Sequence, residues 1–380
     1  MTEKLYYIDS YIREFDANVI SVSKRDDKFD VILNATAFFP EEGGQSSDTG
    51  YISSARVLHV FEENGVIHHL TDTAPSEGEV HCILDFDSRF DKMQCHTAEH
   101  ILCGFIHKLY GLNNVGFHLG DEEITFDVDG VLTREQLDEV EELANSAVFK
   151  NVRIDTFFPT AEEISTLEYR SKLDFTDGVR IVKIGDYDSC ACCAPHVANT
   201  GEIGLIKILD FMKHRGGTRI WMVAGHRALA DYRVKYENIK KISALTSTPQ
   251  HETAAALAKY VAEAEATKQQ LKLCRLTLAE KSATDLHETD RNCVVTLDDY
   301  SIPELIAFSN IAVKRVGGIL VALSGSDGDY KYVISSNSQN LSASSKEINS
   351  ALNGRGGGKP NMLQGSFGAS LSDIKKYFEK

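Results

Sequence analysis

The segment His96-Thr97-Ala98-Glu99-His100 sets two imidazoles four residues apart. On a helix such residues share a face, so both rings can reach one metal ion. A second pair stands in Cys192-Cys193-Ala194-Pro195-His196, where a thiol and an imidazole four apart fall in a turn next to strand-like stretches. Together His96, His100, Cys192 and His196 offer nitrogen and sulfur donors that suit tetrahedral Zn2+ better than calcium or magnesium. A histidine pair alone is weak evidence, because Cys103 and His107 lie on nearly the same stripe. The Cys/His turn is what singles out the first two. A reactive thiol cluster of Cys190, Cys192 and Cys193 is the alternative reading. The metalloprotease pattern needs Glu directly after the first His, and Thr97 stands there. Glu99 is expected to project from a different part of the helix, so peptide hydrolysis is disfavoured.

These residues need elements to hold them. The helix predicted around His96 takes Ser88 as N-cap, turns Phe90, Met93, Thr97, Ile101, Phe105 and Leu109 inward, and stops at Gly111. Before it, short β segments with turn chemistry at Glu63-Asn64-Gly65 predict a small N-terminal barrel over 1–90. Residues 91–230 read as α+β. They include the strand ITFDVDG, a helix opened by the capping-box pair Thr133 and Gln136, strand-like RIDTFFP, VRIVKIGDYDS and GLIKILDFM, and a helix at Ala161–Glu168. Residues 231–290 form a helical linker split at Pro249, with Thr248 to cap its second helix. Leu257, Tyr260, Ala264, Thr267, Leu271, Cys274 and Leu278 there follow a short heptad. Helices packed on a domain core fit that pattern as well as a coiled coil does. Residues 291–380 form an α/β unit carrying the run Gly354-Arg355-Gly356-Gly357-Gly358-Lys359-Pro360. The expected class is therefore an α+β multi-domain protein.

Composition narrows the function classes. The chain has 380 residues, 42% hydrophobic and 25% charged, which is ordinary for a globular protein. No apolar run approaches the roughly 20 residues that cross a bilayer, and the N-terminus lacks a secretory signal. A cytoplasmic location is expected, with the eight cysteines as thiols or metal ligands. Net charge is -16, so a nucleic-acid partner must be met by local basic patches against a repelling global field.

The segments HTAEHIL and CCAPHV resemble the split zinc motif of the alanyl-tRNA synthetase editing domain. So do TAFFPEEGGQSSDTG, RFDKMQCHTAEHIL, VGFHLGDEEITFDVD, LDEVEELANSAVF and VANTGEIGLIKI, in the family's order. The family's T-x-F-Y-P-x-G-G-G-Q-x-x-D-x-G is met by Thr36, Pro40, Gly43, Gly44, Gln45, Asp48 and Gly50, with Phe39 and Glu42 as departures. Its zinc turn, C-G-G-T-H, keeps Cys192 and His196 but has stiffer residues between them. The tail, with GGGKPNMLQG, resembles the DHH-associated C-terminal domain of the same synthetases. The chain opens a few dozen residues before TAFFPEEGGQ, which leaves no room for adenylate chemistry. The whole is similar to the long form of the AlaX family, freestanding trans-editing hydrolases of mischarged tRNA(Ala).

The resemblance implies a Zn2+ cofactor, removal of serine or glycine from tRNA(Ala), and no aminoacylation. It places Thr36 and Gln45 near the amino-acid pocket as the catalytic pair. Their plain alternatives are a strand residue and a turn residue. For tRNA contact the residues themselves offer Lys213, Arg215 and Arg219 in a basic, glycine-containing island, and Arg355 and Lys359 in the tail's glycine run. No membrane partner is expected. The heptad-like helix and the tail could pair two chains, with a homodimer as the expected closed assembly. Two other functions compete: a noncatalytic, synthetase-associated tRNA binder with a structural zinc, and a general small-ester metallohydrolase.

Overall fold

The computed structural model describes residues 2–120, 123–171 and 178–379; Asp121 and Glu122 of the VGFHLGDEEITFDVD segment lie outside it. The protein is α+β and multi-domain. Its residues divide into two compact units, Met1–Ile239 and Lys240–Lys380.

In the first unit the strands Glu14–Arg25, Lys28–Leu33, Val66–Thr71, Ala55–Glu63, Gly50–Ile52 and Glu79–Leu84 close, in that order, into a barrel. Period-two alternation sends Val31, Leu33, Val57, Ile67, Val80 and Cys82 into its interior. Asn64 and Gly65 both take positive φ, 52° and 77°, so the hairpin turn has the hand that matches strand twist.

The helix Phe86–Tyr110 follows and is buried through most of its length. Gly111 ends it at φ 70°, as expected. Its start is three residues earlier than Ser88 requires: Asp85 occupies the cap position and forms no capping hydrogen bond, being engaged instead by Thr49 and Arg56. Tertiary contacts, not a local cap, define this end. A four-stranded antiparallel sheet, with strands ordered Ile206–His214, Gly217–Ala224, Ile124–Val128, Asn114–Leu119, and a three-stranded one, Ile154–Phe157, Ile181–Ile184, Asp188–Ala191, accompany the helix. The helix Arg134–Phe149 opens with the reciprocal Thr133–Gln136 capping box. The short helix predicted at Ala161–Glu168 runs only Ala161–Ile164.

Helix Gly225–Thr246 begins before the expected Asp231, and Thr253–Thr284 is preceded by a 3-10 turn, Gln250–Glu252. Thr248 does not cap that second helix; its hydroxyl bonds Thr246. Leu257, Tyr260, Leu271 and Leu278 on the heptad stripe stand exposed, and only Thr253, Ala279 and Ala283 of this helix are buried.

The second unit holds a five-stranded sheet ordered Cys293–Thr296, Ile319–Ser326, Asp329–Ser336, Met362–Phe367, Gly354–Lys359, parallel at the first pair and antiparallel elsewhere. Alternation along Ile319–Ser326 puts Leu320 and Ala322 against the helix Ile302–Ala312, and Val321 and Leu323 in the core that holds Leu341 and Ile348. The glycine-rich run is an edge strand. A Cβ at Gly356 would lie 2.3 Å from the Tyr332 hydroxyl, so side-chain-free residues let the strand pair there. No helix among the described residues is long and apolar enough to cross a membrane.

Candidate metal centre

The loop after Phe39 is tied to one face of the helix Phe86–Tyr110. The Asp48 carboxylate accepts from the guanidinium of Arg89, a side chain buried completely. The ammonium of Lys92 donates to the Ser47 carbonyl at 2.6 Å, and the Gln45 Oε1 accepts from His96 Nδ1 at 2.8 Å. Positions 89, 92 and 96 recur at helical spacing, so one loop reads one stripe. Gly44 belongs to the same clamp: a Cβ there would meet the Phe117 carbonyl oxygen at 2.3 Å.

Each imidazole of the site is held from behind by its Nδ1. His100 Nδ1 donates to Asp188 Oδ2 at 3.0 Å, and Arg170 grips the same carboxylate with Nε and Nη2 at 2.7 and 2.8 Å. His196 Nδ1 lies 3.0 Å from the Thr97 hydroxyl, which itself donates to the Met93 carbonyl and therefore accepts here. With Gln45 behind His96, all three Nε2 atoms are left facing the Cys192 thiol. The four donor atoms of His96, His100, Cys192 and His196 lie within 4.8 Å of one another. Cys192 Sγ is 3.7 Å from His96 Nε2 and 3.4 Å from His196 Nε2. Tetrahedral zinc, with bonds of about 2.3 Å to sulfur and 2.05 Å to nitrogen, sets neighbouring S and N atoms about 3.6 Å apart. The donor set, its spacing and the outer partners thus fit a zinc ion.

The CCAPH turn follows the strand Asp188–Ala191, and Arg180 Nη1 holds it by the carbonyls of Cys192 and Ala194 at 3.0 and 2.8 Å. Ala194 and Cys193 pack with Tyr6 and Phe39, so an apolar cluster fills the place of the family's glycines. Burial, then the neighbouring thiols of Cys193 and Cys190, pushes the Cys192 thiol up. Burial, then the rings of His100 and His96, pulls His196 well below the ordinary range. A neutral imidazole is the ligating form, and a divalent cation at the cluster would reverse the penalty on the thiolate. For Asp188 burial opposes ionisation, yet the hydrogen bonds from His100 and Arg170 outweigh it and hold the carboxyl low.

A cavity of about 670 Å³ opens over His96, His100 and Cys192, and Tyr7, Asn114, Phe117, Arg170 and Arg180 are among its other lining residues. Glu99, expected to project elsewhere, lines it too. Thr36 does not: its hydroxyl is buried in the barrel, accepting from Phe38 N at 3.1 Å and bonding His69 Nε2 at 2.9 Å. Gln45 is fully buried behind His96 and does not line the cavity either.

Residues 179–221, which contain the Cys/His turn, match the family described as threonyl and alanyl tRNA synthetase second additional domain. The alanyl-tRNA editing protein AlaX-L of Pyrococcus horikoshii is 30% identical over 98% of this chain and 96% of its own. The chain belongs to the AlaX family. It is a long-form member, because the match runs through both units. The alanyl-tRNA editing protein Aarsd1 of Danio rerio is 26% identical over 94% of this AlaX chain and 92% of its own. The alanine–tRNA ligase of Hyperthermus butylicus is 33% identical over 77% of this chain but only 33% of its own length. AlaX membership makes alanyl-tRNA editing the role of the protein.

The site residues that sequence reasoning missed are Thr97, Asp188, Arg170 and Arg180. One signal existed for Asp188: on a strand, residues 188, 190 and 192 point the same way as the ligand cysteine. The basic island is a hairpin whose turn residues Arg215 and Gly216 take φ 48° and 88°. Lys213 and Arg215 are exposed there. Arg219 is half-buried and its guanidinium is engaged by Asp127 through two bonds of 2.7 Å. Arg355 and Lys359 stand exposed on the edge strand Gly354–Lys359.

Proposed function

We propose that this chain hydrolyses the ester joining serine or glycine to the terminal ribose of tRNA(Ala), with zinc held by His96, His100, Cys192 and His196, and that it does not charge tRNA. The observation that carries the reading is the convergence of three Nε2 atoms and one Sγ, with His96, His100 and Cys192 lining a cavity of about 670 Å³. That volume falls in the range of small-molecule sites. Zinc held by these four residues would supply Lewis acidity at the site. The protein's own part is preorganisation. Gln45, Thr97 and Asp188 fix the three rings before an already activated ester arrives. Thr36 and Gln45 enter as positioning residues: Thr36 holds His69 and the start of the TAFFPEEGGQ segment, and Gln45 holds His96. Lys213, Arg215, Arg355 and Lys359 are the proposed phosphate contacts, with Arg219 acting through its partner Asp127. The absence of charging is supported by the match to 96% of a freestanding editing protein.

One observation favours a second reading, a structural zinc in a noncatalytic tRNA binder: all four ligands come from the protein, the pattern of closed sites. His100→Ala and His196→Ala separate the two. Loss of zinc together with loss of Ser-tRNA(Ala) deacylation, in folded variants, supports the hydrolase. Wild-type, zinc-loaded protein without deacylase activity supports the binder, and full zinc occupancy in both variants sinks the ligand assignment.

A further inference from the structure

Glu99 sits between His96 and His100 in sequence, is 3% exposed, and lines the cavity above the metal cluster. Its Oε1 accepts the Cys103 thiol at 2.9 Å and the Asn114 side-chain amide. Among the described residues it forms no ion pair. The cations nearest in the cavity wall are committed: Arg170 to Asp188, and Arg180 to the carbonyls of Cys192 and Ala194. An acidic side chain so placed, with neither arginine of the wall spent on it, offers the cavity an acceptor for a cationic group.

The proposed substrate brings such a group. An aminoacyl ester carries a free α-ammonium one bond from the carbonyl carbon, whereas peptidyl and N-acylated esters do not. We propose that Glu99 binds the α-ammonium of the aminoacyl ester, so that the site selects esters of free amino acids over N-blocked ones. This rests on the hydrolase reading above and names a substrate-contacting residue within it. Cys103 and Asn114 supply the preorganisation: two donors on one oxygen fix the carboxylate before substrate arrives.

The test compares kcat/KM on Ser-tRNA(Ala) and N-acetyl-Ser-tRNA(Ala), for zinc-loaded wild type and Glu99→Gln, at slightly acidic pH where the amine is protonated. Gln keeps an oxygen for Cys103 and Asn114 and removes the charge. Wild type should prefer the free amine by about 10- to 100-fold, the usual worth of a charge-assisted pair. In Glu99→Gln that preference should collapse toward one, through a rise in KM on the free-amine substrate alone. Zinc content should stay unchanged. Glu99→Asp, which keeps the charge, should retain part of the preference and guards against a folding defect in the Gln variant. An equal fall on both substrates, or a preference untouched in Glu99→Gln, overturns the assignment. Wild type inactive on Ser-tRNA(Ala) overturns the hydrolase reading instead.

Discussion

Thr97→Val keeps the shape of the side chain and removes one hydroxyl. That oxygen accepts from His196 Nδ1 at 3.0 Å and from Val197 N at 3.4 Å, and donates to the Met93 carbonyl at 2.7 Å. His196 is 3% exposed, so no bulk water replaces the lost acceptor. A buried donor left unpaired costs about 1–3 kcal/mol. Losing the outer partner of a metal-bound imidazole lowers metal affinity by about 10–100-fold, which is about 1.4–2.8 kcal/mol. The two routes agree, so Thr97→Val should bind zinc about 10–100-fold more weakly. Zinc competition against a chromogenic chelator reads this directly, with urea unfolding of the apo-protein to report fold stability. Thr97→Ser, which restores the oxygen, should recover most of the affinity. A folded Thr97→Val protein with zinc affinity within about twofold of wild type would refute the claim that the Nδ1 contacts preorganise the centre.

Asp48→Ala should destabilise by about 3–5 kcal/mol in denaturant titration, because it strands the fully buried guanidinium of Arg89. Thr36→Val should cost about 1–3 kcal/mol of stability by unpairing His69 Nε2, with Ser-over-Ala selectivity changed less than fold stability. Burial holds His69 at about 4, below its ordinary value, so it stays neutral in the fold and protonates more readily when unfolded. Its contribution is therefore complete above pH about 6.5 and is lost as pH falls toward about 4, up to about 3 kcal/mol; His69→Leu should lose that part of the pH slope in thermal unfolding. A fragment ending at Ile239 should fold, hold zinc and deacylate at high substrate concentration, with its defect in KM and a shallower salt dependence of tRNA binding. Normal tRNA affinity and salt slope in that fragment would remove the second unit from the tRNA contact.

Local chemistry was the most legible part of the sequence. The Thr133–Gln136 box, the Asn64-Gly65 turn and the Gly111 stop each depend on two or three neighbouring residues, and each is found where expected. Each half of the metal-donor set was legible for the same reason, since its two residues stand four apart, whereas the meeting of the two halves is a long-range contact. Long-range partners were not legible. Asp85 replaced Ser88 at the helix start because Arg56 and Thr49 hold it from the barrel. Thr36 looked like a pocket residue because the family motif contains it, but its hydroxyl turns to His69 on a strand thirty-three residues away. The run Gly354–Lys359 is an edge strand, and the close approach of the Tyr332 hydroxyl to Gly356 is a contact that composition does not display. Glu99 was placed off the metal face on helix geometry alone, without the opposite wall that Asn114 and Phe117 provide.

The most direct test of the proposed chemistry is the deacylation rate of zinc-loaded wild type on Ser-tRNA(Ala), with Ala-tRNA(Ala) measured in parallel. The Ser ester should be hydrolysed while the Ala ester persists, and removal of zinc by chelation should abolish the difference. Equal rates on both charged tRNAs, or a Ser-tRNA(Ala) rate no faster than the uncatalysed one, would contradict it.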